Sequence, residues 1–264
     1  MDGASPEKLI LVEREPNGIA LVTINRPNSL NSLTKSMMRD LSQAFKSLDR
    51  DDSVRVIVLT GSGRSFCSGV DLTSAEDVFK GDVKNVDENP VVQMERCRKP
   101  IIGAIQGFAV TAGFEIALAC DILIAARGAK FMDTHARFGI LPSWGLSQKL
   151  SRIIGANKAR EVSLTALPLT VESAERLGFV NHLVEQGDLL RKANEIAEAI
   201  IKNNQDLVLR YKSIINDGLR LDLGHALSLE KERAHDYYNG MTKEQFRKMR
   251  EFIAGRSSKK PSKL

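Results

Sequence analysis

One acidic residue lies in a segment of this chain where an acidic side chain is unusual. Glu115 follows Gly113-Phe114 and precedes the apolar run 116–120. Burying a carboxylate is unfavourable unless it is paired or neutral, and burial raises its pKa toward neutrality. Such a pKa suits a general acid or base. The alternative is a structural glutamate bonded to a helix end or an arginine, and the residue types alone leave both interpretations open.

Two glycine-containing loops follow predicted strands and could bring a ligand close to the backbone. They are residues 60–72, TGSGRSFCSGVDL, and residues 107–115, GFAVTAGFE. The first resembles a phosphate-binding loop only superficially, because it lacks the spacing of a Walker lysine and no GxGxxG sequence opens a helix. We therefore reject a nucleotide-binding fold. Glycines after strands are often simple turn formers, so this pattern does not by itself establish a site.

The elements that must position these residues alternate between strand and helix. The patterns predict strands at 9–13, 19–24, 54–60, 101–105 and 121–126, and helices at 34–50, 91–98, 113–120, 144–154, 189–203 and 219–238. Asn17-Gly18 predicts a hairpin turn between the first two strands, and Thr34 is a candidate N-cap for the first helix. The alternation indicates an α/β body, and helices dominate after residue 171.

The order and spacing of these segments resemble the enoyl-CoA hydratase/isomerase (crotonase) superfamily. Both loops carry the resemblance, through residues 66–72 and 113–121. The other matching landmarks are Asn25-Arg26-Pro27, residues 56–61, 99–107 and 129–131, Leu141-Pro142, Gly145, residues 148–150, Ala174, Leu177-Gly178 and Val180. Together they extend over most of the chain.

The resemblance implies a crotonase-like spiral of ββα units, an α/β fold, with a helical C-terminal trimerisation region. We accordingly divide the chain into a crotonase core (1–190), a C-terminal helical region (191–256) and a flexible basic tail (257–264). The resemblance also implies an acyl-CoA thioester substrate and assembly as a homotrimer or homohexamer. It implies no metal and no cofactor, since coenzyme A is part of the substrate.

The family's shared device is an oxyanion hole, in which two backbone N–H groups hold a thioester enolate. Carried over by motif, the two donors are the N–H groups of Val70 and Ala112. Small neighbouring residues would let a ligand carbonyl approach them. Ala112 stands where the family usually has glycine, which leaves less room for the acyl chain. The expected substrate-binding residues are Ser68, Gly69, Val70, Asp71, Leu72 and Ala112.

The resemblance assigns the chemistry with one departure. Family hydratases use two glutamates, and Glu115 matches the first, whereas Thr134-His135 stands where a Pro-Glu pair carries the second. An imidazole can still move a proton or position water, so the predicted catalytic residues are Glu115 and His135. Asp133 is a chemically closer substitute, but in an extended segment it would point elsewhere. A pocket histidine without a catalytic role is the alternative for His135.

The net charge gives no argument for a nucleic-acid partner. The chain carries +5, but residues 240–264 hold eight basic and two acidic residues and so account for +6, which leaves −1 for residues 1–239. The longest apolar segment, 101–126, is interrupted by glycines and by polar and acidic residues, so we expect no membrane span. The N-terminal residues lack the pattern of a secretory signal.

The C-terminal residues predict a compartment. Ser262-Lys263-Leu264 matches the receptor-read peroxisomal targeting signal, and the polar, basic run before it would present that signal. The three widely spaced cysteines form neither a metal-binding pattern nor a disulfide framework, which fits a reducing compartment. We expect the peroxisomal matrix as the location and the peroxisomal import receptor as a partner.

These observations predict hydration of 2-trans-enoyl-CoA to 3-hydroxyacyl-CoA in peroxisomal fatty-acid β-oxidation. Two alternatives use the same oxyanion hole, namely enoyl-CoA isomerisation and acyl-CoA thioester hydrolysis. A third alternative is a weakly catalytic acyl-CoA-binding or RNA-associated homologue. The basic tail and the missing second glutamate favour this third alternative, whereas Glu115 and the two intact loops disfavour it.

Overall fold

The structure, a computed structural model, describes residues 8–81 and 85–257. The described residues fall into two compact units, with the boundary between Leu209 and Arg210. The divisions after residues 190 and 256 stay predictions. Within the described ranges, no helix is both long and apolar enough to cross a membrane.

The strands and helices are bounded as follows. The strands are β1 (Ile10–Arg14), β2 (Ile19–Ile24), β3 (Val56–Gly61), β4 (Ile101–Ile105), β5 (Phe108–Val110), β6 (Ile122–Ala126), β7 (Lys130–Met132), β8 (Leu169–Thr170) and β9 (His182–Val184). The helices are α1 (Lys35–Arg50), α2 (Ala75–Gly81), α3 (Pro90–Arg96), α4 (Ala112–Leu118), α5 (His135–Phe138), α6 (Leu146–Ile154), α7 (Ala156–Thr165), α8 (Val171–Arg176), α9 (Leu189–Ile201), α10 (Gln205–Gly218), α11 (Leu223–Asn239) and α12 (Lys243–Ser257).

The first unit is built on a six-stranded sheet with the strand order β1-β2-β3-β4-β6-β9. β1 is antiparallel to β2 across the predicted hairpin, and the other neighbouring pairs are parallel. Gly18 in the hairpin turn has a φ of +95°, a conformation that glycine adopts readily.

Both faces of this sheet are buried, which explains the near-continuous apolar run of β3. Val56 and Val58 pack in a cluster with Ala193 of α9. Ile57 and Leu59, which alternate with them, belong to the larger core cluster on the other face. The apolar residues of α1 that recur at helical spacing pack in this larger cluster. They are Met37, Met38, Leu41, Phe45 and Leu48. The predicted cap is confirmed, because the Thr34 side chain accepts a hydrogen bond from the Met37 N–H.

A second, three-stranded sheet with the order β5-β7-β8 carries the loops of interest. β5 is parallel to β7, and β7 is antiparallel to β8. The Phe114 ring of α4 packs against the rings of Phe131 in β7 and Phe179, with centroids 5.4 Å apart in both cases. This buried aromatic cluster fixes α4 against the small sheet.

The second unit is helical, as the sequence predicted for the C-terminal part. Arg233 of α11 donates hydrogen bonds to Asp217 and Ser213 of α10, at 2.7 and 2.9 Å. The Arg210 guanidinium also lies over the Tyr237 ring, 5.5 Å from its centroid. Many large apolar side chains of this unit are exposed in the single chain, among them Tyr211, Ile215, Leu219, Leu223, Leu227, Tyr238, Phe252 and Ile253.

Candidate active site

Three neighbouring segments bring the predicted site residues together. β5 pairs with β7 in parallel, and a parallel bridge joins the segment before Ser68 to β5. The carboxyl ends of parallel segments meet at the same edge of a sheet. From that edge the chain continues into residues 68–72, 111–115 and 133–135, which contain every predicted site residue except the C-terminal tripeptide. Ser262-Lys263-Leu264 lies outside the described residues.

The two glycine-containing loops pack directly against each other. Gly69 has a φ of +101°, and a Cβ at this position would lie 2.3 Å from Oγ1 of Thr111. A Cβ on Gly113 would lie 2.2 Å from the carbonyl oxygen of Cys67. Only glycine permits approaches this close. The two glycines therefore set the spacing between the predicted oxyanion amides.

Replacing Gly69 by alanine is expected to destabilise the fold and weaken acyl-CoA binding, because the new methyl group forces the two loops apart. The loss in unfolding free energy should exceed the roughly 1–2 kcal/mol that a left-handed backbone conformation costs an L-residue. Denaturant unfolding and acyl-CoA titration measure the two effects. Gly128→Ala is the matched control, since Gly128 has a φ of +82° with nothing within 4 Å of an added Cβ. Equal losses in both variants would contradict the tight loop contact.

The backbone around the two predicted oxyanion donors leaves their N–H groups available. Leu33 donates to the carbonyl of Gly69 and accepts from the N–H of Asp71, both at 2.8 Å. In a parallel bridge of this kind, the N–H of the intervening Val70 points away from Leu33. Ala112 is the first residue of α4, where helix geometry provides no intrahelical acceptor.

Thr111, which joins β5 to α4, has a strained backbone. Its φ and ψ are 45° and −109°, and a positive φ is unusual for a β-branched residue. Its N–H donates to the carbonyl of Met132 at 2.9 Å, which ties this turn to the end of β7. Strain of this kind costs on the order of 1–3 kcal/mol and is concentrated at functional sites. Here it allows Ala112 to begin a helix directly after a strand.

Asp71 anchors the first loop to the Asn25-Arg26-Pro27 segment. The Arg26 guanidinium donates a hydrogen bond to the Asp71 carboxylate, and the Ser32 hydroxyl donates to the same carboxylate oxygen at 3.2 Å. The pKa of Asp71 is held well below its usual range by hydrogen bonds from Thr73 and then from Arg26. A charged, internally paired Asp71 thus fixes the loop that presents Val70.

A cleft of about 600 Å³ opens where the three segments meet. That volume falls in the range of small-molecule sites, about 300–1,000 Å³. The predicted residues that line the cleft are Ser68, Val70, Asp71, Leu72, Ala112, Glu115 and His135. Its apolar walls, which sequence reasoning did not identify, include Val78, Phe138, Ile140, Leu141 and Trp144. The mixture of apolar walls and a few polar groups fits a ligand with an acyl chain.

Glu115 is buried and held by backbone amides. The N–H groups of Trp144 and Leu146 donate to its Oε1 atom at 2.9 and 3.2 Å. Burial raises the pKa of the Glu115 carboxyl, while the nearby His135 and the two amide hydrogen bonds reduce that rise. This carboxyl bonds to the start of a helix, as the structural interpretation expects, and it also lines the cleft. Its role as a general acid or base stays a prediction.

His135 lies between two carboxyl groups. Its Nε2 atom is 3.9 Å from Oε2 of Glu115, and its Nδ1 atom is 2.6 Å from Oδ1 of Asp133. The condition under which Asp133 would point elsewhere does not hold, because the segment is not extended. Asp133 contacts the imidazole of His135, although it does not line the cleft itself. Thr134 has φ and ψ of −102° and 11°, and α5 begins at the next residue. The turn brings the Asp133 side chain back to the imidazole.

The other nucleophilic or metal-binding possibilities do not converge on the cleft. Burial raises the pKa of the Cys67 thiol to about 12, which keeps it protonated. Cys97 is buried and Cys120 is partly buried, and neither lines the cleft. In the part of the chain that the structure describes, no three His, Cys, Asp or Glu side chains are grouped to hold a metal ion.

The chain is similar in sequence to enoyl-CoA hydratases. Residues 14–255 match the family model described as enoyl-CoA hydratase/isomerase. An Arabidopsis thaliana protein named probable enoyl-CoA hydratase 1, peroxisomal, is 76% identical over 262 residues, which cover 99% of each chain. A short-chain-enoyl-CoA hydratase of Clostridium acetobutylicum is 34% identical over 94% of this chain and 95% of its own.

Solved structures show the same architecture. A crystal structure of an enoyl-CoA hydratase from Bacillus anthracis matches with a TM-score of 0.86 and 30% identity, over 94% of this chain and 97% of that one. An enoyl-CoA hydratase subunit structure from Geobacillus kaustophilus also gives a TM-score of 0.86, at 26% identity and 98% coverage of this chain and 99% of that one. These likenesses confirm the fold class predicted from the sequence, including its helical C-terminal region.

Proposed function

The chain belongs to the enoyl-CoA hydratase/isomerase family, and from this premise we propose that it hydrates 2-trans-enoyl-CoA to 3-hydroxyacyl-CoA in fatty-acid β-oxidation. One observation carries the proposal. The cleft that exposes Val70 and Ala112 also presents the Glu115 carboxyl and the His135 imidazole, 3.9 Å apart. A reaction that adds water across a double bond needs both an enolate stabiliser and two proton-handling groups.

The thioester carbonyl binds to the N–H groups of Val70 and Ala112. Attack of water at Cβ moves charge onto this carbonyl oxygen, and two fixed donors stabilise the resulting enolate. Because the donors belong to the main chain, Ala112 can serve as well as the glycine that the family usually has there. Val78, Phe138 and Ile140 supply apolar surface for the acyl chain.

Glu115 and His135 hold the attacking water between them. Their facing atoms are 3.9 Å apart, which is too long for a direct hydrogen bond but allows one water oxygen about 2.8 Å from each. Glu115 accepts one proton from this water while the water oxygen bonds to Cβ of the substrate. The His135 imidazolium gives a proton to Cα, and the proton on Glu115 then returns to the imidazole. Water is consumed, and no redox or metal step is needed.

Replacing His135 by alanine is expected to lower kcat for hydration by about 10²–10⁴-fold, the usual contribution of a general acid or base. His135→Glu restores the pair of carboxyl groups that the family resemblance implies, so it should recover part of the lost rate. Loss of the conjugated thioester absorbance with short- and long-chain enoyl-CoA substrates measures hydration. His225→Ala is the control, because His225 of α11 is exposed and is paired with Asp222, the N-cap residue of that helix.

The same assays separate the alternatives. Full hydration activity in His135→Ala would contradict the role of this residue. Migration of the double bond would identify an isomerase, and release of free coenzyme A would identify a thioester hydrolase. Tight acyl-CoA binding without turnover would identify a binding protein.

The proposed location is the peroxisomal matrix, reached through the import receptor that recognises the C-terminal Ser262-Lys263-Leu264. The Arabidopsis relative named as peroxisomal supports this proposal. We also propose assembly as a homotrimer or homohexamer. The many large apolar side chains that the second unit exposes in the single chain support it, because association of chains would remove them from water.

A further inference from the structure

We propose that Asp133, itself held by Ser163, is a positioning residue that keeps a proton on Nδ1 of His135 and aims Nε2 at Glu115. The inference rests on the proposed hydration, in which His135 supplies a proton to Cα. It assigns a role to Asp133 and Ser163, which belong neither to the proposed oxyanion hole nor to the proposed acid/base pair. The arrangement is a buried row of three side chains, Asp133, His135 and Glu115.

The Asp133 carboxylate holds His135 at two points. Its Oδ1 atom is 2.6 Å from the imidazole Nδ1 and 3.2 Å from the His135 backbone N–H, which donates to it. The carboxylate is itself fixed from another element, because the Ser163 hydroxyl of α7 forms a hydrogen bond with it. A carboxylate bound in this way accepts a hydrogen bond from Nδ1–H and orients the ring.

This contact selects one tautomer of the imidazole. An ionised carboxylate only accepts hydrogen bonds, so the facing Nδ1 must carry a hydrogen. Nε2 then offers a lone pair when the ring is neutral and an N–H when it is charged, and both states serve proton transfer on the cleft side. With the opposite tautomer, Nε2 would carry its hydrogen in the neutral ring and could not take the proton back from Glu115.

The titratable groups that face the imidazole are Asp133 on the Nδ1 side and Glu115 of α4 on the Nε2 side. The contribution of α7 is the uncharged hydroxyl of Ser163. Burial raises the pKa of Asp133, but the hydrogen bonds from His135 and Ser163 outweigh burial and lower it overall. Asp133 therefore remains an anion beside the imidazole.

A second Asp–His contact in the same chain provides a matched comparison. Asp222 accepts a hydrogen bond from the backbone N–H of His225 and also contacts its Nδ1 atom. Both of those side chains are largely exposed, whereas Asp133 and His135 are buried. Water screens the exposed pair and competes for its hydrogen bonds, so only the buried pair can fix a tautomer over the working pH range.

The test compares the wild-type enzyme with Asp133→Asn, Ser163→Ala and Asp222→Asn in two measurements. Long-range proton–nitrogen NMR of histidine-labelled free enzyme reports the tautomer of His135, whose signals are assigned by their loss in His135→Gln. Hydration kinetics across pH report the consequence for catalysis. We expect the neutral imidazole of His135 to carry its hydrogen on Nδ1 in the wild-type enzyme. In Asp133→Asn, we expect a mixture of the Nδ1–H and Nε2–H tautomers.

In the kinetic measurement, Asp133→Asn is expected to lower kcat by about tenfold to a hundredfold with little change in KM. It should also change the shape of the pH–rate profile, because Asp133 no longer fixes the tautomer that exchanges a proton with Glu115. Ser163→Ala should cause smaller changes in the same direction and keeps the test informative if Asp133→Asn folds poorly. Asp222→Asn should match the wild-type enzyme in both measurements.

The two proposals fail separately. A wild-type enzyme that hydrates enoyl-CoA, together with an Asp133→Asn variant of unchanged tautomer and pH profile, would overturn the positioning role alone. A wild-type enzyme without hydration activity would overturn the proposed function, and the free-enzyme NMR would still decide whether Asp133 sets the tautomer. If the Asp133→Asn effect on kcat persists in a His135→Gln background, the effect does not pass through His135 and the inference is wrong.

Discussion

Glu115→Gln is expected to lower kcat for hydration by about 10²–10⁴-fold and at the same time to stabilise the folded chain at neutral pH. The glutamine oxygen can still accept the N–H groups of Trp144 and Leu146, which now bond to Oε1 of Glu115. The amide cannot take a proton from water. The variant therefore keeps the local structure while removing the proposed base.

The stability gain follows from the direction of the pKa shift. The pKa of Glu115 is raised in the fold, chiefly by burial. An acid whose pKa is raised by folding contributes its full stability to the fold below the pKa that it has in the unfolded chain. This contribution is lost as the pH rises through the pKa that it has in the folded chain. Glutamine does not titrate. The gain in unfolding free energy of Glu115→Gln should therefore grow with pH, by about 1.4 kcal/mol for each unit by which the fold raises the pKa of Glu115.

Denaturant unfolding of both proteins near pH 5 and pH 8, together with hydration assays, tests this prediction. Glu13→Gln on the exposed edge strand β1 is the control and should change neither the rate nor the pH dependence of stability. Abundant hydration by Glu115→Gln would contradict the proposed mechanism. A stability difference that is the same at both pH values would contradict the electrostatic cost of the buried carboxylate.

The second large effect is expected from the Ala112 backbone amide. Replacing Ala112 by its α-hydroxy analogue turns the amide into an ester, which removes the N–H and keeps the side chain. Loss of one oxyanion donor should lower kcat by about 10²–10³-fold. The carbonyl stretch of a bound thioester should also move toward its value in water, because one polarising hydrogen bond is lost.

The same ester at Ala119 is the matched control. The Ala119 N–H donates to the carbonyls of Glu115 and Ile116, at 3.1 Å in both cases, at the other end of α4. This ester should reduce stability by the worth of a helix hydrogen bond, about 1 kcal/mol. It should leave the carbonyl stretch unchanged. If the ester at Ala112 has no larger effect on kcat than the ester at Ala119, Ala112 does not donate to the enolate.

Local signals in the sequence determined several parts of this protein. The apolar spacing and the Thr34 cap predicted α1, and the near-continuous apolar run of β3 predicted a strand. Gly69 and Gly113 marked loops in which the backbone approaches other atoms closely. Glu115 was visible as a carboxylate in an apolar helix. Each signal lies within a few residues of the feature that it predicts.

Only the tertiary structure decided which groups surround Glu115. Its hydrogen-bond donor Trp144 is 29 residues away in sequence, and no pattern in either segment indicates the contact. His135 reaches the cleft because β7 ends beside β5, and Asp133 contacts His135 behind the cleft wall because the chain turns at Thr134. The sequence supplied the carboxylate and the loops, and the family resemblance indicated His135. Strand register and one turn decided the distance between Glu115 and His135 and the contact with Asp133, because contacts between distant segments depend on packing.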